Sequence, residues 1–286
     1  MNLLSALFLT VLWSTTPLAI KWSVSGMPFT LAVTLRFLLG ATVAWGLLYL
    51  WRQSAWPGRA LWRSAGIAGG TSAASMLCTY WASQALSSGL VAVLFGLIPL
   101  MTALFARLWL QERLGRIELA AIALGMAGLL VVFAGQLSAG PQALWPASVV
   151  LLAVALQAGG AVLLKRHSTG QSALAINACA LLVCMGVTGL AWLGSGATLP
   201  SQAVPASALG AIVYLGIVGS ALGFSVYYRL IQRCRPISVA LISLLTPATA
   251  LWLGHAVNQE AVPAALAGGS ALIIAGLLLH VLAQRS

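Results

Sequence analysis

Apolar runs of about twenty residues alternate along this chain with short polar breaks. Ten runs fit, at 2–22, 28–50, 64–85, 88–109, 117–135, 145–166, 171–193, 206–230, 236–257 and 262–282. A helix needs about 20 apolar residues to cross the hydrocarbon core of a bilayer. Ser25-Gly26-Met27-Pro28, Trp56-Pro57-Gly58, Gly140-Pro141 and Pro200-Ser201 punctuate several of the breaks, while those at 85–88 and 231–236 are short. The first run has no basic leader and no small-x-small cleavage site, so it reads as a retained helix. The pattern predicts an all-α polytopic membrane protein with ten transmembrane helices.

The basic positions give this pattern a direction. With a cytoplasmic N-terminus, the inner side collects Arg52, Arg59, Arg63, Arg107, Arg113, Arg116, Lys165, Arg166, Arg229, Arg233, Arg235 and Arg285. The outer side collects Lys21, and Arg36 falls inside the second run. Twelve against one is a strong positive-inside bias. It predicts that both termini are cytoplasmic.

The chain also repeats itself. Tyr80, Gln84, Val91, Ala92, Leu97, Pro99, Gln111, Glu112 and Gly128 return 148 positions later as Tyr228, Gln232, Val239, Ala240, Leu245, Pro247, Gln259, Glu260 and Gly276. Apolar matches come cheaply in such a chain, but a proline and a Gln-Glu pair at one offset do not, because only three acids exist. An internal duplication follows, with units at 1–138 and 139–286. Five helices per unit is an odd number, so the second unit inserts upside down. Inverted repeats are a transporter architecture, with the substrate site near the midplane between them.

Composition narrows the function. Of 286 residues, 61% are hydrophobic and 6% charged, against about 25% charged in soluble domains. The net charge of +11 is spread singly between apolar runs and reads as topology rather than as a nucleic-acid surface. Cys78, Cys179, Cys184 and Cys234 lie in apolar runs without metal-ligand spacing and read as packing thiols. No phosphate-binding Gly-Lys-Ser/Thr loop, zinc motif, carboxylate pair or embedded Ser-His-acid set occurs, which speaks against an ATP-driven pump or an intramembrane enzyme. No Asp is present and no Glu lies deep in a run, so a lipophilic-cation pump would lack its membrane-embedded carboxylate.

Trp13-Ser14, Lys21, Arg36-Phe37, the Pro99 helix and Glu112, followed by Thr246-Pro247 and Glu260, make the chain resemble the EamA family of the drug/metabolite transporter superfamily. The resemblance covers nearly the whole chain. It implies a bacterial inner-membrane exporter of metabolites, amino acids above all, with an aromatic amino acid branch. The partners implied are a small-molecule substrate and the lipid bilayer, with no nucleic acid, no cofactor, no metal, and a monomer or weak homo-oligomer. Gln157 stands where the second unit would carry a counterpart of Trp13.

The resemblance further implies a cavity lined by helices 1, 3, 4, 6, 8 and 9, and these runs carry the mid-membrane polar and aromatic residues. The cavity candidates are Trp13, Ser14, Tyr80, Trp81, Gln84, Phe95, Gln157, Tyr227, Tyr228 and Thr246. For Tyr80, Trp81, Tyr227 and Tyr228 an interfacial anchor is the alternative. Gly96, Pro99 and Pro247 are hinge candidates, with a static kink as the alternative. Arg36 either snorkels, pairs, or meets a substrate carboxylate. Lys21 with Glu260 and Lys165 with Glu112 could latch the two faces alternately, or each could be an interface charge with Glu capping a helix. The function expected is export of neutral or zwitterionic metabolites by alternating access, with a drug or sugar-phosphate exchanger as the alternative.

Overall fold

The computed structural model describes residues 3–51, 58–111, 115–139, 144–168, 170–196, 199–234, 236, 239, 246–259 and 261–283. They form helices throughout: α1 (Leu3–Ser23), α2 (Phe29–Leu50), α3 (Arg59–Ala82), α4 (Ser88–Phe95), α5 (Ile98–Leu110), α6 (Arg116–Ala139) and α7 (Leu144–His167). Then follow α8 (Ala173–Gly194), α9 (Ala206–Tyr214), a π-helical segment (Leu215–Gly223), α10 (Phe224–Arg233), α11 (Thr246–Asn258) and α12 (Ala264–Ala283). The chain is an all-α polytopic membrane protein. Among the described residues five spans, Phe29–Leu50, Ser88–Leu110, Leu144–His167, Ala173–Gly194 and Ala206–Arg233, are long and apolar enough to cross a membrane. α1, α3, α6 and α12 run 20–24 residues, which at about 1.5 Å per residue also matches the hydrocarbon thickness.

Three runs differ from the expectation. α3 starts at Arg59, a turn early, because two arginines whose long stems can carry their charge outward are tolerated in a helix end at the interface. The fourth run is broken: α4 stops at Phe95, and α5 resumes at Ile98. Pro99 falls in the first turn of α5, where its missing N–H would have had no partner anyway. The eighth run is one continuous element, but its middle nine residues are π-helical. Of the ninth run only Thr246 onward forms a described helix.

Gln111 and Gln259, 148 positions apart, both take left-handed backbone conformations, with φ of 55° and 54°. Each follows the last residue or two of a helix, and its N–H turns back to a helical carbonyl, Ala106 O and His255 O respectively. Such left-handed residues close helices by satisfying orphan carbonyls. The sequence repeat is thus matched by a repeated and uncommon backbone conformation.

α2 and α3 pack on α8, α3 also on α7, and α2 on the π segment. One apolar core, including Phe37, Leu48 and Ile176, fills this body, and a second, including Leu94, Leu97 and Val154, lies under α4, α5 and α7. α6 and α12 pair face to face through repeat-related glycines. A Cβ on Gly128 would come 2.7 Å from Gly269 O, and one on Gly276 2.7 Å from Ala121 O. Helices in lipid associate by such backbone proximity, since hydrophobicity gives them no drive to leave lipid for each other.

Candidate functional site

The middle of α1 is the natural starting point. Pro17 lies inside the helix and has no N–H to give to the Trp13 carbonyl one turn earlier. Around it, Ser14 Oγ donates to Thr10 O at 2.8 Å and Thr16 Oγ1 to Leu12 O at 2.7 Å. These hydroxyls are satisfied locally, as lipid-embedded polar groups must be. The Trp13 ring meets Tyr227 of α10 edge-on at 5.6 Å. Tyr227 continues to Tyr228 at 5.7 Å, and Tyr228 to Phe224 at 5.9 Å.

Opposite stands Arg36, 2% exposed and the largest fully buried side chain. Its Nε donates to Ser220 Oγ at 2.9 Å, its Nη1 to Met76 Sδ at 3.6 Å, and its guanidinium carbon lies 5.5 Å from the Phe37 ring centre. Ser220 belongs to the π segment, and its hydroxyl in turn donates to Leu215 O at 2.9 Å, five residues back. Asn177 of α8 reaches the same segment. Its Nδ2 lies within bonding distance of Ser220 O (3.1 Å), Ala221 O (2.8 Å) and Ser225 Oγ (2.8 Å). A π turn leaves carbonyls off the regular ladder, and such turns gather at functional sites. Here Asn177 and Ser220 take up the bonding the wider turn leaves open. Glycine permits the close approach: a Cβ at Gly216 would come 3.1 Å from Arg36 O, and one at Gly40 3.1 Å from Gly216 O.

Between α1 and Arg36 lies a cavity of about 90 Å³, room for several waters or a small ligand. Its wall is mostly apolar, with Trp13, Ile20, Met76, Phe95 and Phe224 among the lining side chains. Polar groups enter from Thr16, Thr79, Gln157, Tyr227 and Thr246, and Arg36 is its one described charge. A second space, of about 10 Å³, is bounded by Thr71, Ser72, Leu164 and Tyr228. That is about the size of one water. Gln157 and Tyr227 line both, so these two side chains form the partition. Gln157 Oε1 is buried beside Tyr227, and Tyr228 Oη is buried beside Ser72. No group of three His, Cys, Asp or Glu that could hold a metal gathers among the described residues.

The model of the EamA-like transporter family matches residues 1–134 and 144–282. The chain belongs to the EamA-like transporter family. It is 28% identical to the "Uncharacterized inner membrane transporter YedA" of Escherichia coli (strain K12), over 90% of this chain and 83% of that protein. It is 26% identical to the "Probable amino-acid metabolite efflux pump" of Salmonella typhimurium, over 98% of this chain and 94% of that one. A solved crystal structure superposes with a TM-score of 0.73 at 21% identity, covering 99% of this chain and 98% of that one; it shows the fold.

In this EamA-like transporter the structure sorts the sequence candidates. Trp13, Phe95, Gln157, Tyr227 and Thr246 come together in the larger cavity, and Tyr228 borders the smaller one. Ser14 Oγ donates within its own helix, to Thr10 O. Tyr80 is fully buried in the core and lines neither space. Trp81 is 36% exposed, and Gln84 is exposed with its amide donating to Trp81 O. These two sit at the end of α3, where a ring at the interface is favoured, so the shared cavity expected for Tyr80 and Trp81 is not found. Gly96 supplies the break between α4 and α5.

The charges are also sorted. Arg36 does not snorkel; it is buried against Ser220. Lys165 Nζ donates to Gln232 O at 2.8 Å, and Lys21 Nζ reaches Leu86 O at 3.5 Å. Gln232 lies in the last turn of α10, so Lys165 serves a helix C-terminus, where orphan carbonyls and the dipole favour a cation; Leu86 lies in the turn between α3 and α4, so Lys21 ties α1 to that turn. Glu112, Glu260 and the Pro247 side chain lie outside the described residues, and with them the two expected latches. The π segment, Met76, Thr79 and Gly219 were not anticipated as site elements. The glycine triplet Gly216, Gly219 and Gly223 around Ser220 was the available signal.

Proposed function

We propose that this protein exports small neutral or zwitterionic metabolites, amino acids first, across a bacterial inner membrane by alternating access of two inverted units, 1–138 and 139–286. The observation that carries the reading is the apolar cavity walled by Trp13, Phe95 and Phe224 and closed on one side by Gln157 and Tyr227. Such a space suits an amphipathic substrate: rings stack on rings, and the Gln157 amide on the cavity wall offers an acceptor to an ammonium or hydroxyl group. The efflux-pump relative supports the same substrate class. Alternating access needs one face closed while the other opens, and the Gln157–Tyr227 partition is the closure in this state. The predicted orientation puts the partition on the cytoplasmic side of the larger cavity. The break between α4 and α5 and the π segment are the places where helices can re-angle around the site. The test is accumulation of labelled neutral amino acids by inside-out vesicles, with and without a pH gradient. Uptake above vesicles lacking the protein supports the reading, and uptake of none of a broad panel refutes it.

A further inference from the structure

Arg36 does something that packing does not require. Burying a cation in hydrocarbon is costly, and an intramembrane ionisable residue usually marks a substrate path with a partner to be named. A guanidinium carries five N–H donors. Two are used here, one on Ser220 Oγ and one, weakly, on Met76 Sδ. Three remain without a partner among the described residues, on a side chain that is 2% exposed and lines the cavity. No carboxylate lines the cavity among the described residues.

The arrangement around Arg36 holds the guanidinium still. Ser220 fixes Nε, and the Ser220 backbone is fixed by Asn177. Beside Nη2 there is a glycine: a Cβ on Gly219 would sit 3.6 Å from it. Any larger side chain there would cover the end of the fork that faces the space. A planar fork pre-organised in this way, with free donors on a side chain that lines a mostly apolar cavity, matches a carboxylate through two parallel bonds.

We propose that Arg36 is the binding anchor for the carboxylate of the transported molecule, and that the substrate class is carboxylates on an apolar body. This rests on the export reading and sharpens it: the acid group is required and the amino group is not. Amines of the same shape that lack a carboxylate meet a like charge in the cavity and are rejected. Dicarboxylates find no second cation among the described lining residues.

The test uses the full chain in lipid nanodiscs and four ligands of nearly one shape: 3-phenylpropanoate, phenylalanine, phenylalaninamide and phenethylamine. Binding isotherms on the wild-type protein decide the matter without any substitution. The two carboxylates should bind at least tenfold more tightly than the amide and the amine. Arg36→Gln should erase that preference, and Arg36→Lys should retain part of it, since a lysine keeps the charge but not the fork. Amines binding as tightly as acids, no binding of either acid, or a preference that survives Arg36→Gln each overturn the proposal. Flux in proteoliposomes separates the two readings. Transport of amines or of neutral compounds, but not of carboxylates, sinks the Arg36 anchor and leaves a transporter; flux of none of the panel sinks the transporter reading itself.

Discussion

Asn177→Leu removes an amide from a fully buried position while keeping the same branching and number of side-chain heavy atoms. The amide nitrogen has two hydrogens and three acceptors within 2.8–3.1 Å, namely Ser220 O, Ala221 O and Ser225 Oγ. Two bonds can therefore form at once. A hydrogen bond contributes about 0.5–1.5 kcal/mol net, and within membrane proteins about 0.6 on average. The loss should be about 1–3 kcal/mol, because the π-segment carbonyls are left buried without a donor. The effect should not stop at stability, since Ser220 also holds Arg36 Nε at 2.9 Å. Equilibrium unfolding in mixed detergent micelles, followed by tryptophan fluorescence, measures the loss. An Asn177→Leu protein within about 0.5 kcal/mol of the parent, the range of an inconsequential surface change, would refute the claim that this amide holds the π turn open.

Three further outcomes follow from other contacts. Gly276→Ala should lower stability by about 1–3 kcal/mol, the usual cost of overpacking, because its Cβ would meet the Ala121 O and Gly125 N backbone atoms at 2.7 and 2.9 Å; Gly268→Ala, with nothing within 4 Å, should be neutral in the same thermal melt. Lys165→Met should cost about 1.5–3 kcal/mol, the range for a hydrogen bond from a charged group, by removing the 2.8 Å bond to Gln232 O, again read by thermal unfolding. On topology, a single cysteine introduced by Ser54→Cys into a cysteine-free background should resist an impermeant thiol reagent added outside intact cells, and labelling there would reverse the orientation.

The depth of each candidate was legible in the sequence; its azimuth was not. Trp13, Phe95, Gln157 and Thr246 stand within apolar runs and Tyr227 near the end of one, where an interfacial anchor is the alternative, and the five meet in one cavity. Tyr80 and Trp81 sit at comparable depth signals but face the core and the exterior. A helix that is apolar all round carries no stripe to say which face turns inward. The repeat gave Gln111 and Gln259, because a polar pair stands out against apolar background. The Arg36–Ser220 contact joins positions 184 residues apart, and no local pattern announces it. The π turn escaped because its residues are as apolar as those of the α-helix it interrupts, and only Ser220 bonding five residues back defines it.

The central claim is that the cavity beside Trp13 is the transport path. Ala92 is fully buried and lines that cavity, so an indole placed there by Ala92→Trp fills it. The most direct measurement compares labelled phenylalanine counterflow in proteoliposomes holding equal amounts of folded wild-type or Ala92→Trp protein. The account predicts counterflow well above protein-free liposomes for the wild type and background flux for Ala92→Trp. Equal flux through both proteins, or none through the wild type, would contradict it.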